Sequence, residues 1–358
     1  MEKAIVSGIQ QIGIGVADVA IAWKWYKEFF GTDVIVFDEQ APAEYMLPYT
    51  GGEPRARHAI LALNLQGGGG FEIWQHKSIT PRLAEFDILP GDYGIYACKI
   101  KCKNVLKTHK LYIDKHAEVT EIFQDSLGRD YFYVRDPFKN LFQVLEVKSA
   151  TSWFREENKP TGGVYGAIVG THDMTAAIRF YSQMLGYDKI YSDKEDVFED
   201  FSKQGTPACR FRRVLLGHEK PRMGAFSRLL GPSEIELVQA LDRPTSVHRI
   251  FENRMWGELG FIQICYDIRY MESLREMGSK LNYPFTVYSL TINSDFDMGD
   301  AAGHFAYNED PSGTLIEYVE TWKIPVLKKF GVYLNLKLFN TKKPLPDWLI
   351  ACLRFVKK

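Results

Sequence analysis

Long apolar runs are missing from this sequence. No stretch reaches the roughly 18 apolar residues that a membrane helix requires. The N-terminus carries only a short apolar run interrupted by glycine, unlike the core of a secretory signal peptide. We therefore expect a cytoplasmic protein that does not enter a membrane.

An excess of charge of either sign is missing as well. The 44 lysine and arginine residues are balanced by 45 aspartate and glutamate residues, which gives a formal net charge of −1. Without a strong overall field, the chain has no long-range attraction for nucleic acid or for an anionic membrane surface. We expect a small-molecule partner and no nucleic acid.

Cysteine motifs typical of zinc or redox sites are also missing. The odd number of cysteines and their spacing, without a C-x-x-C pair, predict reduced structural thiols and no disulfide framework. The five cysteines are Cys98, Cys102, Cys209, Cys265 and Cys352.

The sequence does have the length and composition of a two-domain globular protein. Of its 358 residues, 46% are hydrophobic and 25% are charged, and domains average about 150 residues. We predict domains over residues 1–150 and 151–325, followed by a basic extension over residues 326–358. The end of this extension can form a short amphipathic helix, either docked on the domain or in contact with a membrane or an acidic partner.

A strand–helix–strand pattern occurs twice along the chain. Its elements are predicted at residues 9–16, 20–30 and 33–37, and again at residues 165–171, 175–185 and 188–191. Several residues recur at a constant offset and suit a helix N-cap, a sheet-packing aromatic and a left-handed helix end. They are Asp18, Tyr26, Gly31 and Asp33, repeated as Asp173, Tyr181, Gly186 and Asp188.

A second repeat closes each half of the chain. Residues 133–144 and 307–318 both predict a strand, a tight Asp-Pro turn and another strand, with Asp136 and Asp310 at matching places. Weaker signals predict further elements between these anchors. They are strands at 59–65, 71–75, 94–102, 211–216, 235–239 and 260–268, and helices at 104–112 and 270–281.

This organisation resembles the vicinal oxygen chelate superfamily, which includes glyoxalase I, bleomycin-resistance proteins and extradiol dioxygenases. The resemblance lies in the strand start I-G-I-G-V-A-D, the helix exit F-Y-x-x-x-L-G-Y-D at residues 180–188 and the turn D-P-x-G-x-x-I-E at residues 310–317. It implies an α+β fold of four βαβββ modules, paired into two open, half-barrel mixed β-sheets with flanking helices. Because this fold hosts many reactions, it does not specify one.

In the family, metal ligands come from the first and last strands of each module. The corresponding first-strand residues here include no histidine: they are Gln11, Ala97, Gly166 and Gln263. The last-strand residues keep mostly carboxylates: they are Glu72, Gln143, Glu236 and Glu317. An extradiol dioxygenase is disfavoured because its iron site uses two histidines and one carboxylate.

The resemblance implies a divalent metal held by Glu236, Gln263 and Glu317 in the C-terminal pocket, and a weaker set in the N-terminal pocket. The weaker set is Gln11, Glu72 and Gln143. Oxygen ligands suit a hard or borderline divalent ion, although solvated glutamates without metal fit the sequence equally well. Either carboxylate, Glu317 or Glu236, can act as a base.

Other candidates are an acid–base histidine and an anion-binding arginine pair. His304 lies on the third strand of the last module, where the inward face is not fixed by the sequence; His58 and His172 are weaker candidates. Arg210 and Arg212 share a strand face and suit a carboxylate or phosphate, although local acidic residues are alternative partners.

The sequence therefore predicts a glyoxalase-like enzyme, an isomerase or lyase, that transfers a proton on a small molecule with vicinal oxygens. A metal-free binding protein for an aromatic compound and a metal-free acid–base enzyme remain as alternatives. The aromatic-rich helix at residues 20–30 leaves a homodimer open.

Overall fold

Four βαβββ modules follow one another along the chain, as the resemblance implied. The computed structural model describes residues 2–291, 296–298, 301–327, 332–336, 339–340 and 342–358. Module 1 contains β1 (Ile5–Gly15), α1 (Val19–Phe30), β2 (Val34–Pro42), β3 (Ala56–Leu63) and β4 (Gly70–His76). Module 2 contains β5 (Gly94–Cys102), α2 (Val105–Asp114), β6 (Glu118–Val119), β7 (Phe123–Gln124), β8 (Asp130–Arg135) and β9 (Leu141–Glu146).

The second half of the chain repeats this order. Module 3 contains β10 (Val164–Gly170), α3 (Met174–Leu185), β11 (Lys189–Asp196), α4 (Glu199–Ser202), β12 (Phe211–Gly217), α5 (Ser227–Leu230) and β13 (Glu234–Ala240). Module 4 contains β14 (Gly260–Arg269), α6 (Met271–Lys280), β15 (Val287–Tyr288), β16 (Phe296–Met298), β17 (Ala301–Glu309) and β18 (Leu315–Leu327). Strand β19 (Val332–Asn335), helix α7 (Asp347–Ile350) and a 3-10 helix (Ala351–Val356) follow.

The repeated residues form the predicted helix ends. The Asp18 carboxylate accepts hydrogen bonds from two backbone amides at the start of α1, and Asp173 caps α3 in the same way. Gly31 and Gly186 end these helices with φ of 62° and 70°, a left-handed conformation that favours glycine. The repeat is therefore structural, as predicted.

Strand pairing joins modules from opposite halves of the chain. The first sheet runs β15-β17-β18-β14-β1-β4-β3-β2 and thus combines modules 4 and 1. The second sheet runs β11-β12-β13-β10-β5-β9-β8-β6 and combines modules 3 and 2. The predicted α+β fold with two half-barrel sheets is confirmed, but each pocket takes one module from each half. The domain boundaries at residues 150 and 325 stay a prediction.

Within each half, the modules meet through their helices and turns. The Tyr26 hydroxyl of α1 donates to Asp136 Oδ2 (2.6 Å) in the Asp-Pro turn of module 2. The Tyr181 hydroxyl of α3 makes the equivalent bond to Asp310 Oδ2 (3.1 Å) in module 4. Both carboxylates also accept backbone amide hydrogen bonds of their own turns.

Alternation along the strands divides each sheet into a helix-covered outer face and an inner face. In β1, Ile12 and Ile14 are fully buried in the helix-covered core, whereas Gln11 and Gly13 point to the inner face. This confirms the inward residues that the sequence predicted for β1.

The end of the C-terminal extension docks on the first sheet and its neighbourhood. Leu345 and Ile350 are buried against Val34, Leu61 and other apolar side chains. The Lys357 ammonium lies 2.7 Å from the Glu157 carboxylate. No helix in the described part of the chain is long and apolar enough to cross a membrane.

Candidate functional site

The inner face of the first sheet brings two carboxylates and two amides together. Gln11 (β1), Glu72 (β4), Gln263 (β14) and Glu317 (β18) come from the four central, adjacent strands of the sheet. Cross-strand pairing sets the register, because Gly13 lies beside both Glu72 and Gln263. All four side chains are less than a tenth exposed.

The amide of Gln263 stands between the two carboxylates. Its Nε2 donates to Glu72 Oε2 and to Glu317 Oε2, both at 3.3 Å. Its Oε1 accepts a hydrogen bond from the Trp256 indole at 3.0 Å. One side chain therefore connects both acids to an aromatic residue outside the sheet.

Gly13 leaves the space that the Gln263 amide occupies. A Cβ atom at residue 13 would lie 2.5 Å from the Gln263 Cδ atom, well inside van der Waals contact. Any larger residue at this position would force the Gln263 amide to shift away from its present place.

The two carboxylates destabilise each other's charged form. Burial raises the pKa of Glu317, and the nearby Glu72 carboxylate raises it further. Burial also raises the pKa of Glu72, against the lowering effects of Arg57 and of a hydrogen bond from Gln11. Neither acid forms a salt bridge with any residue that the structure describes.

This arrangement fits a divalent cation by its donor chemistry. Two carboxylates and the Gln11 amide oxygen form an oxygen set with two negative charges, which hard divalent ions prefer. Gln263 turns its Nε2 to the acids and its Oε1 to Trp256, so its oxygen would join the set only with the amide rotated. Gln11 Oε1 is buried and has no hydrogen-bond partner among the described residues, so a good acceptor is left unused. Groups of three or more His, Cys, Asp or Glu side chains placed for a metal do not occur in the described ranges, so the amides are essential to the set.

Three neighbours of this set were not identified from the sequence. Tyr307 and Cys265 are the cross-strand neighbours of Glu317, and burial followed by the Glu317 charge raises the pKa of both. Trp256 comes from the segment that joins modules 3 and 4. Alternation in β14 and β17 could have suggested Cys265 and Tyr307, but nothing in the sequence places Trp256.

The inner face of the second sheet contains a buried lysine among its acids. The Lys99 ammonium lies 2.8 Å from Glu234 Oε1 and 2.7 Å from Glu236 Oε2, and Lys99 is 1% exposed. Arg213 Nε donates to Glu236 Oε1 at 2.6 Å. Burial alone would raise the pKa of Glu236, but Arg213 and Lys99 outweigh it and lower the pKa to about 2.

The predicted grouping of site residues therefore needs correction. Glu236 does not join Gln263 and Glu317, because it lies in the second sheet with Lys99 and Arg213. Gln143 does not join Gln11 and Glu72, because β9 also belongs to the second sheet. The physical reason is the strand pairing between β1 and β14, which brings the other four residues to one face.

The predicted anion-binding arginines lie on the outside. Arg210 pairs with Asp242 (3.0 Å), and Arg212 makes a two-point contact with Asp193 (2.9 and 2.7 Å). Alternation turns the next residue, Arg213, inward. The structure thus favours the local acidic partners that the sequence left as the alternative for this pair.

His304 lies on the opposite face from Glu317. Its cross-strand partner is Glu320, whereas Tyr307 is the partner of Glu317. The His304 ring packs edge-on against Trp322 with ring centroids 3.8 Å apart. His58 pairs with Asp38 (2.8 Å), and His172 Nδ1 contacts the Ser312 hydroxyl (2.9 Å). None of the three contacts the carboxylate pair.

Solved structures with a similar fold share this architecture. Glyoxalase I from Zea mays aligns with a TM-score of 0.54 at 12% identity, over 89% of this chain and 92% of the maize chain. A protein from Bacillus subtilis subsp. subtilis str. 168, described as a candidate dioxygenase, aligns with a TM-score of 0.55 at 14% identity, over 89% and 86% of the two chains. No protein-family model and no curated protein sequence matches the chain.

These likenesses, together with the paired modules, define the class of fold. The chain has the vicinal oxygen chelate fold, as its sequence resemblance implied. At such low identity the likeness concerns the fold alone, so the chemistry has to be argued from the residues of this chain.

Proposed function

We propose that the chain is an enzyme that transfers a proton on a small molecule with vicinal oxygens, as an isomerase or lyase. The site is the inner face of the first sheet. Gln11, Glu72 and Glu317 would hold a divalent metal ion there, and Gln263 would join them with its amide rotated so that Oε1 replaces Nε2. The observation that carries this proposal is a pair of buried carboxylates, bridged by an amide, without a salt-bridge partner among the described residues.

Electrostatics supports the metal. Two buried carboxylates near each other cannot both be charged without a compensating cation, and their raised pKa values express this cost. A divalent ion would balance both charges and use the free Gln11 oxygen. When bound, it would supply Lewis-acid polarisation of substrate oxygens.

Glu317 is proposed as the proton-transferring base. Its carboxylate is buried beside the Tyr307 hydroxyl, which hydrogen-bonds it and would hold one oxygen in place. The other oxygen can take a proton from a substrate carbon next to a carbonyl group and return it to the adjacent position. This transfer is redox-neutral, because the proton leaves and returns without an external oxidant.

The second sheet supports a stoichiometry of one metal per chain. Lys99 pairs with both Glu234 and Glu236, Arg129 adds a second cation to Glu234, and Arg213 adds a second cation to Glu236. An inner face filled by these cations repels a metal ion. We therefore propose that only the first sheet has a catalytic site.

Metal analysis of matched variants tests the proposal. The protein, purified without chelator or affinity metal, is compared with the double variant Glu72→Gln/Glu317→Gln by elemental analysis and by equilibrium dialysis against Mn²⁺ and Zn²⁺. We expect about one equivalent in the native protein and its loss in the double variant. Glu236→Gln is the matched control and should keep the metal.

Proton exchange then tests the reaction. Hydroxy-ketones and other vicinal-oxygen compounds are incubated in D₂O, and deuterium incorporation at the carbon next to the carbonyl is followed by NMR. Incorporation that requires Glu317 and the metal supports the proposal. A native protein that binds no divalent metal in dialysis contradicts it.

A second candidate function is metal-free binding of an aromatic compound. Aromatic side chains beside the acids favour it, since Trp74 and Trp256 pack edge-to-face with ring centroids 4.5 Å apart. The metal analysis separates the two candidates, because only the enzyme proposal requires a divalent ion. Acid–base catalysis by the same glutamates without metal would appear as exchange that survives dialysis against a chelator.

A further inference from the structure

A cavity of about 430 Å³ lies beside the candidate metal set, on the far side of Trp256. Its wall includes the segment that joins modules 3 and 4, from Arg249 to Trp256, and the start of β18. Its volume is in the range of small-molecule pockets. Trp256 connects the two places, because its ring lines the cavity while its indole N–H binds Gln263.

Arg249 presents an exposed guanidinium group to this cavity. It is exposed and forms no salt bridge with any residue in the described ranges. Glu309 is an acidic residue of the same wall, and its Oε1 accepts a hydrogen bond from the Tyr49 hydroxyl (3.0 Å). A Cβ atom at Gly313 would lie 3.3 Å from Arg249 Nη1, so the glycine keeps room for the guanidinium.

The other two arginines of the cavity are engaged by the protein. Arg82 makes a two-point contact with Glu258 (2.9 and 3.2 Å). Arg254 donates to the carbonyl oxygens of Arg82 (3.1 Å) and Leu259 (2.6 Å). Arg82 is thus paired with an acid, and the acidic Glu309 offsets the charge of Arg254, which has no salt bridge among the described residues. The cavity therefore carries one net positive charge, and Arg249 is the exposed guanidinium that can bind a ligand.

The remaining wall is mostly aromatic. Tyr49, Tyr93, Phe251 and Trp256 line the cavity, and they offer flat apolar surface at low entropic cost. Ile262 and Leu315 add aliphatic surface near Trp256. The combination of one free guanidinium with aromatic walls is complementary to a planar body that carries one negative charge.

We propose that this cavity binds a planar aromatic carboxylate, with Arg249 as the residue that selects for the negative charge. A carboxylate matches the fork of one guanidinium in two parallel hydrogen bonds. A doubly charged phosphate would need more positive charge than one free arginine provides. The inference rests on the proposed function in taking the cavity as the substrate pocket of the candidate metal site.

A matched pair of probes tests the charge selection. Binding of 2-naphthoate and of its neutral analogue 2-naphthamide is measured by calorimetry, with naphthyl phosphate as a third probe. We expect the native protein to prefer the carboxylate about tenfold or more, the amount that a charge-assisted pair supplies. Arg249→Gln should remove this preference by lowering carboxylate affinity to that of the amide. Arg179→Gln, on the exposed surface of α3, is the control and should behave as the native protein.

The same titrations in the Glu72→Gln/Glu317→Gln variant separate this inference from the proposed function. Carboxylate preference that depends on Arg249 in this variant would leave the inference standing, while the elemental analysis of the native protein decides the metal chemistry separately. Equal affinity for acid and amide, stronger binding of the phosphate, or no binding of any probe would overturn the inference, whatever the metal content.

Discussion

The Lys99 ammonium lies 2.7 Å from Glu236 Oε2, on the inner face of the second sheet. Both residues are buried, and Lys99 also contacts Glu234. The buried carboxylates of the two sheets thus differ in whether a cation lies beside them. In the second sheet the protein supplies its own cation, whereas the first sheet leaves two acids without one among the described residues.

Removal of this internal cation should destabilise the protein. Lys99→Met leaves Glu234 and Glu236 short of one positive charge in a buried place, which costs about 3–5 kcal/mol of unfolding free energy. Urea unfolding followed by circular dichroism measures the change. Lys103→Met is the control, since its pair with Glu156 is exposed and worth about 0–1 kcal/mol. An equal loss of unfolding free energy in both variants would contradict the role of Lys99 as the cation that stabilises Glu234 and Glu236.

The tyrosine–aspartate bonds between modules should make similar contributions in the two halves. Tyr26→Phe and Tyr181→Phe each remove a hydrogen bond to a buried carboxylate, at a cost of about 1–3 kcal/mol. Chemical denaturation gives the values. Tyr191→Phe, whose hydroxyl makes only a long surface contact of 3.4 Å, should change stability little. A neutral effect of both core variants would count against the proposed role of these bonds.

Lys101 should make the free energy of unfolding depend on pH in the neutral to alkaline range. Burial lowers the pKa of Lys101 to about 7, and the neighbouring Arg228 contributes in the same direction. In the unfolded chain the pKa of a lysine is about 10.4. Between the two pKa values the unfolded state therefore binds more protons than the folded state, so the free energy of unfolding rises with pH in this window. Below pH 7 the cost of the buried ammonium is fully present.

The free energy of unfolding of Lys101→Met should therefore exceed that of the native protein by most near pH 6. This difference should shrink as pH rises toward 10. The expected slope is about 1.4 kcal/mol per pH unit at most. Urea unfolding at several pH values measures it, with Lys103→Met as the control. The same pH dependence in both variants would show that Lys101 is not its source.

Gly13→Ala should weaken the candidate metal set without removing a ligand. The added methyl group would collide with the Gln263 amide, so Gln263 must move away from Glu72 and Glu317. We expect about a tenfold to hundredfold loss of metal affinity, as for other changes that reorient a ligand. Equilibrium dialysis measures it, and Gln263→Ala sets the scale for complete loss of this amide. Unchanged affinity in Gly13→Ala would argue that Gln263 is not a ligand.

The local sequence determined the modules and much of the candidate chemistry. Capping by Asp18 and Asp173, the left-handed Gly31 and Gly186, and strand alternation in β1 are local properties, so residue types and spacing were enough to predict them. For the same reason, the candidate site residues Gln11, Glu72, Gln263 and Glu317 could be identified one strand at a time. Tyr26 and Asp136 were identified as repeated residues, but their contact was not.

Only the tertiary structure decided which of these residues meet. Strand β1 pairs with β14, more than two hundred residues later, and no local pattern encodes that partner. This pairing separated Glu236 from Glu317 and brought Glu72 to Gln263. The direction of each side chain depended on strand register, because successive side chains of a strand point to opposite faces of the sheet. Tyr307 therefore faces the acids, whereas His304 points away from them.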